Sequence, residues 1–215
     1  MDILKKTLEK NKDVYIKHLL DLVAIDTHDI GHGIKGGLEK KGQEYMESLY
    51  KALGAEEIIK DPIAESILEE SNRKYQEGNL GHNNEDRYNV YAIFNKQEAR
   101  SLMFNGHVDT MPADESQWMY PPHQPTIKDG KIYGLGVCDM KGGLMASAMA
   151  VKLLKDANIP IPGKVILTSV VDEEGGGNGS IVAAMNGQKA DGVVVCEPTG
   201  DELIAAHMGF IFFQV

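Results

Sequence analysis

Four short clusters of carboxylate and imidazole each sit at the end of a predicted strand or the start of a predicted helix. They are Gly106-His107-Val108-Asp109-Thr110, Asp139-Met140-Lys141-Gly142-Gly143, Asp172-Glu173-Glu174 followed by three glycines, and Glu197-Pro198-Thr199. Bringing so many acids together without compensation is costly, because like charges repel and raise one another's pKa. A divalent cation removes that cost, and a mixture of imidazole and carboxylates suits zinc, with cobalt or manganese also compatible. One histidine with three acids exceeds what a single catalytic zinc takes. It points instead to two ions about 3.5–4 Å apart sharing a bridging carboxylate. Asp139 is the choice for the bridge, since its glycine-flanked loop at a helix start lets backbone come close to a metal. Asp109 lies two residues from His107, on the same side of an extended segment, and is placed to fix the imidazole tautomer. Glu173 and Glu174 are neighbours whose side chains diverge, so one can ligate while the other serves as general base. Spacing alone does not say which.

The joint pattern carries this reading, because each piece alone has a plainer one. The glycines at 175–177 lack the Lys-Ser/Thr ending of a phosphate loop, and Gly134-Leu135-Gly136 lacks the rest of a dinucleotide fingerprint. Cys138 and Cys196 read as buried structural thiols without an activating neighbour. His18, His28, His32, His82 and His123 read as surface or structural residues, and Met140, Met145 and Met149 as helix-face packing.

The elements that must position these clusters alternate along the chain. Helical spacing of apolar residues runs from about residue 3 to 25 and from 38 to 53, with Gly54 as the C-terminal cap of the second helix. A short strand is expected at 55–59. Residues 61–87 are polar and uneven, and read as a surface insertion with room for one or two helical turns, whose charge run is solvated. Strands follow at 88–95 and 101–105, and a small hairpin turns at Asp129-Gly130. A strong Ala/Met/Leu helix covers 141–156. Buried strands are expected at 164–171 and 192–196, with a helix from 179 to 185 between them. This order predicts an α/β fold: a three-layer αβα sandwich around a mixed, largely parallel sheet. In such sheets ligands bind beyond the carboxyl ends of the strands, where three of the four clusters fall directly.

The chain has 215 residues, 22 basic and 32 acidic, and a net charge of −10. That balance argues against nucleic acid and an anionic membrane surface as partners. Two cysteines make no disulfide framework. The charged N-terminus lacks the apolar core of a signal peptide, and no window approaches the roughly 18 apolar residues of a membrane helix. A soluble, cytoplasmic protein is expected. The final residues, from His207 to Val215, are sticky strand material, which suggests a fragment.

Taken together and in order, the four clusters and Tyr133-Gly134-Leu135-Gly136 resemble the metallopeptidase-20 family: acetylornithine deacetylase, succinyl-diaminopimelate desuccinylase and carboxypeptidase G. The resemblance implies a zinc-exopeptidase-like catalytic domain over 1–202, and the first strand of a truncated lid domain at 203–215. It implies hydrolysis of the amide bond of small N-acyl amino acids, of deacetylase or desuccinylase type, by a water activated by two Zn2+ ions, with a dipeptidase or carboxypeptidase of the same family as the nearest alternative. His107 and Glu197 would hold the first metal, Asp139 would bridge, and Glu174 would hold the second. Glu173 would be the general base, and Asp109 would orient His107. The lid would supply substrate contacts and a homodimer surface. Two departures stand out. Leu135 replaces the usual Arg between the glycines, and no late histidine matches the last ligand of the second metal. A metal-binding but inactive fragment is therefore the alternative expectation.

Overall fold

The computed structural model describes residues 2–29, 38–97, 100–200 and 202–205. The chain opens with two helices, α1 (Asp2–Val23) and α2 (Glu39–Ala52), followed by strand β1 (Glu57–Pro62) and helix α3 (Glu65–Tyr75). Next come strands β2 (Tyr88–Phe94) and β3 (Ser101–His107), then the β4–β5 hairpin (Thr126–Lys128, Lys131–Tyr133). Helix α4 (Lys141–Asp156), strand β6 (Lys164–Val170), helix α5 (Asn178–Met185) and strand β7 (Gly192–Val195) complete the order. The turns obey local chemistry: Gly54 (φ +75°) stops α2, and Asp129 and Gly130, both at positive φ, turn the hairpin.

β1, β2, β6, β3 and β7 form one sheet in that spatial order. β3 runs parallel to β6 and to β7, while β2 is antiparallel to both β6 and β1. Only β2 is therefore reversed, and the sheet is mixed but largely parallel. Helices cover both faces. The Asn89 side chain donates to Gly179 O of α5, whereas the Lys155 ammonium of α4 lies 5.4 Å over the Phe94 ring. Residues 89 and 94 differ by an odd number, so α5 and α4 lie on opposite faces of β2. The central strands justify their apolar runs, with Val90 to Phe94 all buried, and Ile166, Leu167 and Val170 likewise.

The register brings the functional strand ends level. His107 pairs with Val170, so the chain leaving β6 enters Asp172-Glu173-Glu174 beside His107. Val195 pairs with Asn105, and Cys196 N donates to Asn105 O at 2.9 Å, which carries Glu197 to the same edge.

Three expectations are corrected. Residues 61–87 are more than a surface insertion: most of their charged side chains are exposed, as expected, but α3 buries Leu68 and Ser71 and packs on α5, and His82 and Arg87 are buried beyond it. An uneven polar pattern hid one apolar stripe and a buried ion network. β7 is not a buried strand, since Val193 and Val195 are 53% and 58% exposed. It has one strand neighbour among the described residues, and an apolar run does not reveal whether a strand is central or at an edge. Cys138 is exposed, not buried. Residues 202–205 carry no regular structure, and the strand expected beyond them, with His207, lies outside the described residues, as does His32. Among the described residues no helix is long and apolar enough to cross a membrane.

Candidate metal centre

The site is built at the carboxyl ends of β3, β6 and β7. His107, the last residue of β3, is 1% exposed in its side chain. Its Nδ1 donates to the main-chain oxygen of Asp109 at 2.9 Å, and the Asp109 carboxylate Oδ1 lies farther off, at 3.5 Å. The orienting contact thus comes from Asp109, but through its carbonyl. The Asp109 carboxylate is turned toward the next loop, where Oδ2 accepts from the Glu174 backbone N–H at 2.9 Å.

Nε2 of His107 faces three carboxylates from three separate segments: Asp139 Oδ1 at 3.1 Å, Glu173 Oε2 at 3.7 Å and Glu197 Oε1 at 3.7 Å. Ligand atoms of His107, Asp139 and Glu174 all lie within 4.8 Å of one another, and so do those of His107, Glu173 and Glu197. The predicted residues therefore meet in one place. Both glutamates of the Glu-Glu pair face the imidazole, one grouped with Glu197 and the other with Asp139.

Close approach of two elements makes this possible. A Cβ on Gly143, in the first turn of α4, would lie 1.9 Å from Cys196 O. Only glycine lets α4 start against the end of β7, so that Asp139 before the helix and Glu197 after the strand both face His107. The buried Lys141 secures the other side of α4. Its ammonium donates to Ile25 O at 2.9 Å and Leu22 O at 3.3 Å, supplying a partner to carbonyls at the end of α1. Burial pulls its pKa down to about 8, against the opposing pull of Asp26 and Asp109.

The electrostatics are those of an acid cluster short of positive charge. Burial alone would depress the His107 pKa. Asp109, then Glu173 and Glu197, overcome burial and push it up to about 10. Burial raises Glu197 to about 7, with Asp139, Glu173 and Glu174 adding to the rise and His107 opposing it. Glu173 and Glu174 are also raised, chiefly by burial. Asp109 Oδ1 is buried and makes no hydrogen bond. One imidazole nitrogen ringed by carboxylate oxygens is a donor set that fits a divalent cation.

A second group, Asp29, His82 and Asp172, also has ligand atoms within 4.8 Å, fully inside the protein. Here the positive charge is already supplied. Arg87 Nη2 lies 3.1 Å from Asp172 Oδ1 and 3.4 Å from Asp29 Oδ1, and also pairs with Glu39. A divalent ion would meet that guanidinium directly, so these residues do not fit one. The sequence reading missed Asp29, Glu39 and Arg87, and nothing in their local pattern marks them. Three other described histidines have their own partners: His18 meets the Tyr45 hydroxyl, while His28 and His123 flank Asp26. Cys196 is no thiolate, since burial, with Glu197, pushes it up to about 11.

Comparison with known proteins agrees with this geometry. The profile of peptidase family M20/M25/M40 matches residues 103–209, the span holding all four clusters. Residues 103–209 belong to this family. An N-formyl-4-amino-5-aminomethyl-2-methylpyrimidine deformylase of Halalkalibacterium halodurans is 41% identical over 119 residues, 54% of this chain and 28% of that protein. A probable succinyl-diaminopimelate desuccinylase of Staphylococcus aureus is 38% identical over 135 residues, 61% of this chain and 34% of that protein. Among solved structures, human carnosine dipeptidase 1 superposes with a TM-score of 0.71 at 19% identity, over 90% of this chain and 40% of that one. The M20 family metallo-carboxypeptidase Sso-CP2 from Sulfolobus solfataricus gives 0.60 at 26% identity, over 85% and 37%. The matched part of this chain spans about a third or less of the length of these curated relatives.

Proposed function

We propose that this chain carries most of a two-zinc amidohydrolase centre whose substrates are small N-acyl amino acids. The observation that carries this reading is the convergence of Asp139, Glu173 and Glu197 on Nε2 of one buried imidazole. His107 and Glu197 would hold one ion, Glu174 would hold the second, and Asp139 would be shared between them; cobalt or manganese would satisfy the same donors. When bound, the ions act as Lewis acids on the scissile carbonyl and lower the pKa of water. The protein's own residues do the rest. The Asp109 carbonyl keeps Nδ1 protonated and Nε2 free to ligate. Glu173, half-buried with its pKa raised, takes a proton from the attacking water and delivers it to the leaving amine. Desuccinylase-type relatives favour an acyl amino acid as substrate, and the 26% identical metallo-carboxypeptidase keeps a dipeptide as the second reading.

The test is Glu173→Gln in the full-length protein. Metal content should stay near wild type while turnover of N-acyl amino acids falls about 100-fold to 10,000-fold, the usual contribution of a general base. Unchanged turnover would reject Glu173 as the base.

A further inference from the structure

The loop that carries Glu173 and Glu174 is held from behind by residues of the segment read from sequence as a surface insertion. Asn79 and Asn178 clasp each other reciprocally. Asn178 Oδ1 accepts from Asn79 N at 2.8 Å, and Asn178 Nδ2 donates to Asn79 O at 2.9 Å. Asn178 Nδ2 also donates to Asp172 Oδ2 at 2.6 Å. Asn79 Nδ2 donates to Gly175 O at 2.6 Å, which fixes the orientation of its amide. The same amide nitrogen lies 3.0 Å from His82 Nε2, so that nitrogen accepts. The proton of His82 is then on Nδ1, 2.9 Å from both carboxylate oxygens of Asp172. Asp172 adopts φ +57°, a left-handed conformation that a residue other than glycine holds only when its surroundings enforce it. Gly175 leaves no room for slack: a Cβ there would lie 2.3 Å from Asp29 Oδ2, 2.4 Å from Asp172 Oδ1 and 2.7 Å from His82 Cε1.

We propose that Asn79, His82 and Arg87 form a latch that sets the position of Glu173 and Glu174, and are therefore positioning residues for the metal centre. The latch grips both ends of the loop, Asp172 and Asn178, and its middle at Gly175. Glu173 and Glu174 lie between two gripped points, with the Glu174 N–H held on the site side by Asp109. None of the three latch residues belongs to the groups around His107. Their effect passes through the backbone of residues 172–178. This inference rests on the proposed role of Glu174 as a metal ligand.

Calorimetric titration of the chain with Zn2+ alone tests it, comparing wild type, Glu174→Gln, Asn79→Ala, His82→Gln and the two double variants with Glu174→Gln. Glu174→Gln should weaken zinc binding. Asn79→Ala and His82→Gln should each weaken it about tenfold, in the range seen for residues that orient ligands. Neither should weaken it further when Glu174 is already gone, because the latch acts through that residue. Asn79 is exposed, so its variant tests the latch even where the buried His82→Gln fails to fold. Latch variants that unfold at lower temperature yet bind zinc as wild type does would overturn the latch and leave the metal reading intact. So would equal weakening in both backgrounds. Zinc binding indifferent to Glu174→Gln would overturn the ligand assignment, and the latch with it.

Discussion

In the absence of an ion, His107 itself is the cation of the acid cluster, pushed up to about 10 chiefly by Asp109 once burial is overcome. Asp109, Glu173 and Glu197, which stabilise the imidazolium, would equally stabilise a bound divalent ion, which would take over the neutralising role when the proton leaves. His107→Ala removes the nitrogen ligand and the pivot of three carboxylates. Zinc affinity should drop by at least ~100-fold in a competition titration with a chelator, since even residues that only orient a ligand are worth about 10–100-fold. Equal affinity in wild type and variant would show that the ion sits elsewhere. The grouping of His107, Asp139, Glu173, Glu174 and Glu197 was legible because their types, at strand ends and, for Asp139, at a helix start, are unusual together. His82 was not, since a lone histidine in a polar run looks solvated, and its partner Asp172 is 90 positions away.

At the scale of elements, the site depends on α4 and β7 meeting where a side chain cannot fit. Gly143→Ala would gain about 1 kcal/mol of helix propensity. Against that stands a Cβ placed 1.9 Å from a backbone oxygen, which only a backbone shift relieves. Overpacking costs typically about 1–3 kcal/mol and outweighs the propensity gain. The variant should melt at a lower temperature and bind zinc more weakly, because the shift moves Glu197, next to Cys196, away from His107. A melting temperature at or above wild type would show that the contact yields easily. The helix at 141–156 was legible from its Ala, Leu and Met content, and the hairpin from Asp129-Gly130. The exposed edge position of β7 was not, because strand order is decided by long-range pairing. The fold of residues 61–87 escaped for a related reason: α3 buries little of its surface, and what it buries is set by α5, over a hundred residues later.

Across the whole molecule, the charge of −10 is distributed unevenly, with carboxylates gathered at one sheet edge and in the network behind it. That network makes stability depend on pH. Burial pushes the Glu39 carboxyl from its ordinary 4.5 up to about 7, against the pull of Arg87. The folded state therefore keeps a proton that the unfolded chain has released. Its contribution is complete below pH 4.5 and is lost as pH rises through about 7, with an upper magnitude of about 3 kcal/mol. Burial raises Asp172 to about 7 as well, with Asp29 adding to it, and the two act in the same direction. Melting of the metal-free chain, followed by circular dichroism, should fall between pH 5 and pH 7. Glu39→Gln should remove its share of that slope, and a variant keeping the full slope would contradict the assignment.

The central claim is that the acids at the ends of β3, β6 and β7 gather a metal around His107, and that the deeper acid network does not. Anomalous diffraction at the zinc edge, from crystals of this chain grown with Zn2+, separates the two directly. The expected result is a peak at His107 Nε2 flanked by Asp139 and Glu197. A peak among Asp29, His82 and Asp172, or none at His107, would contradict it.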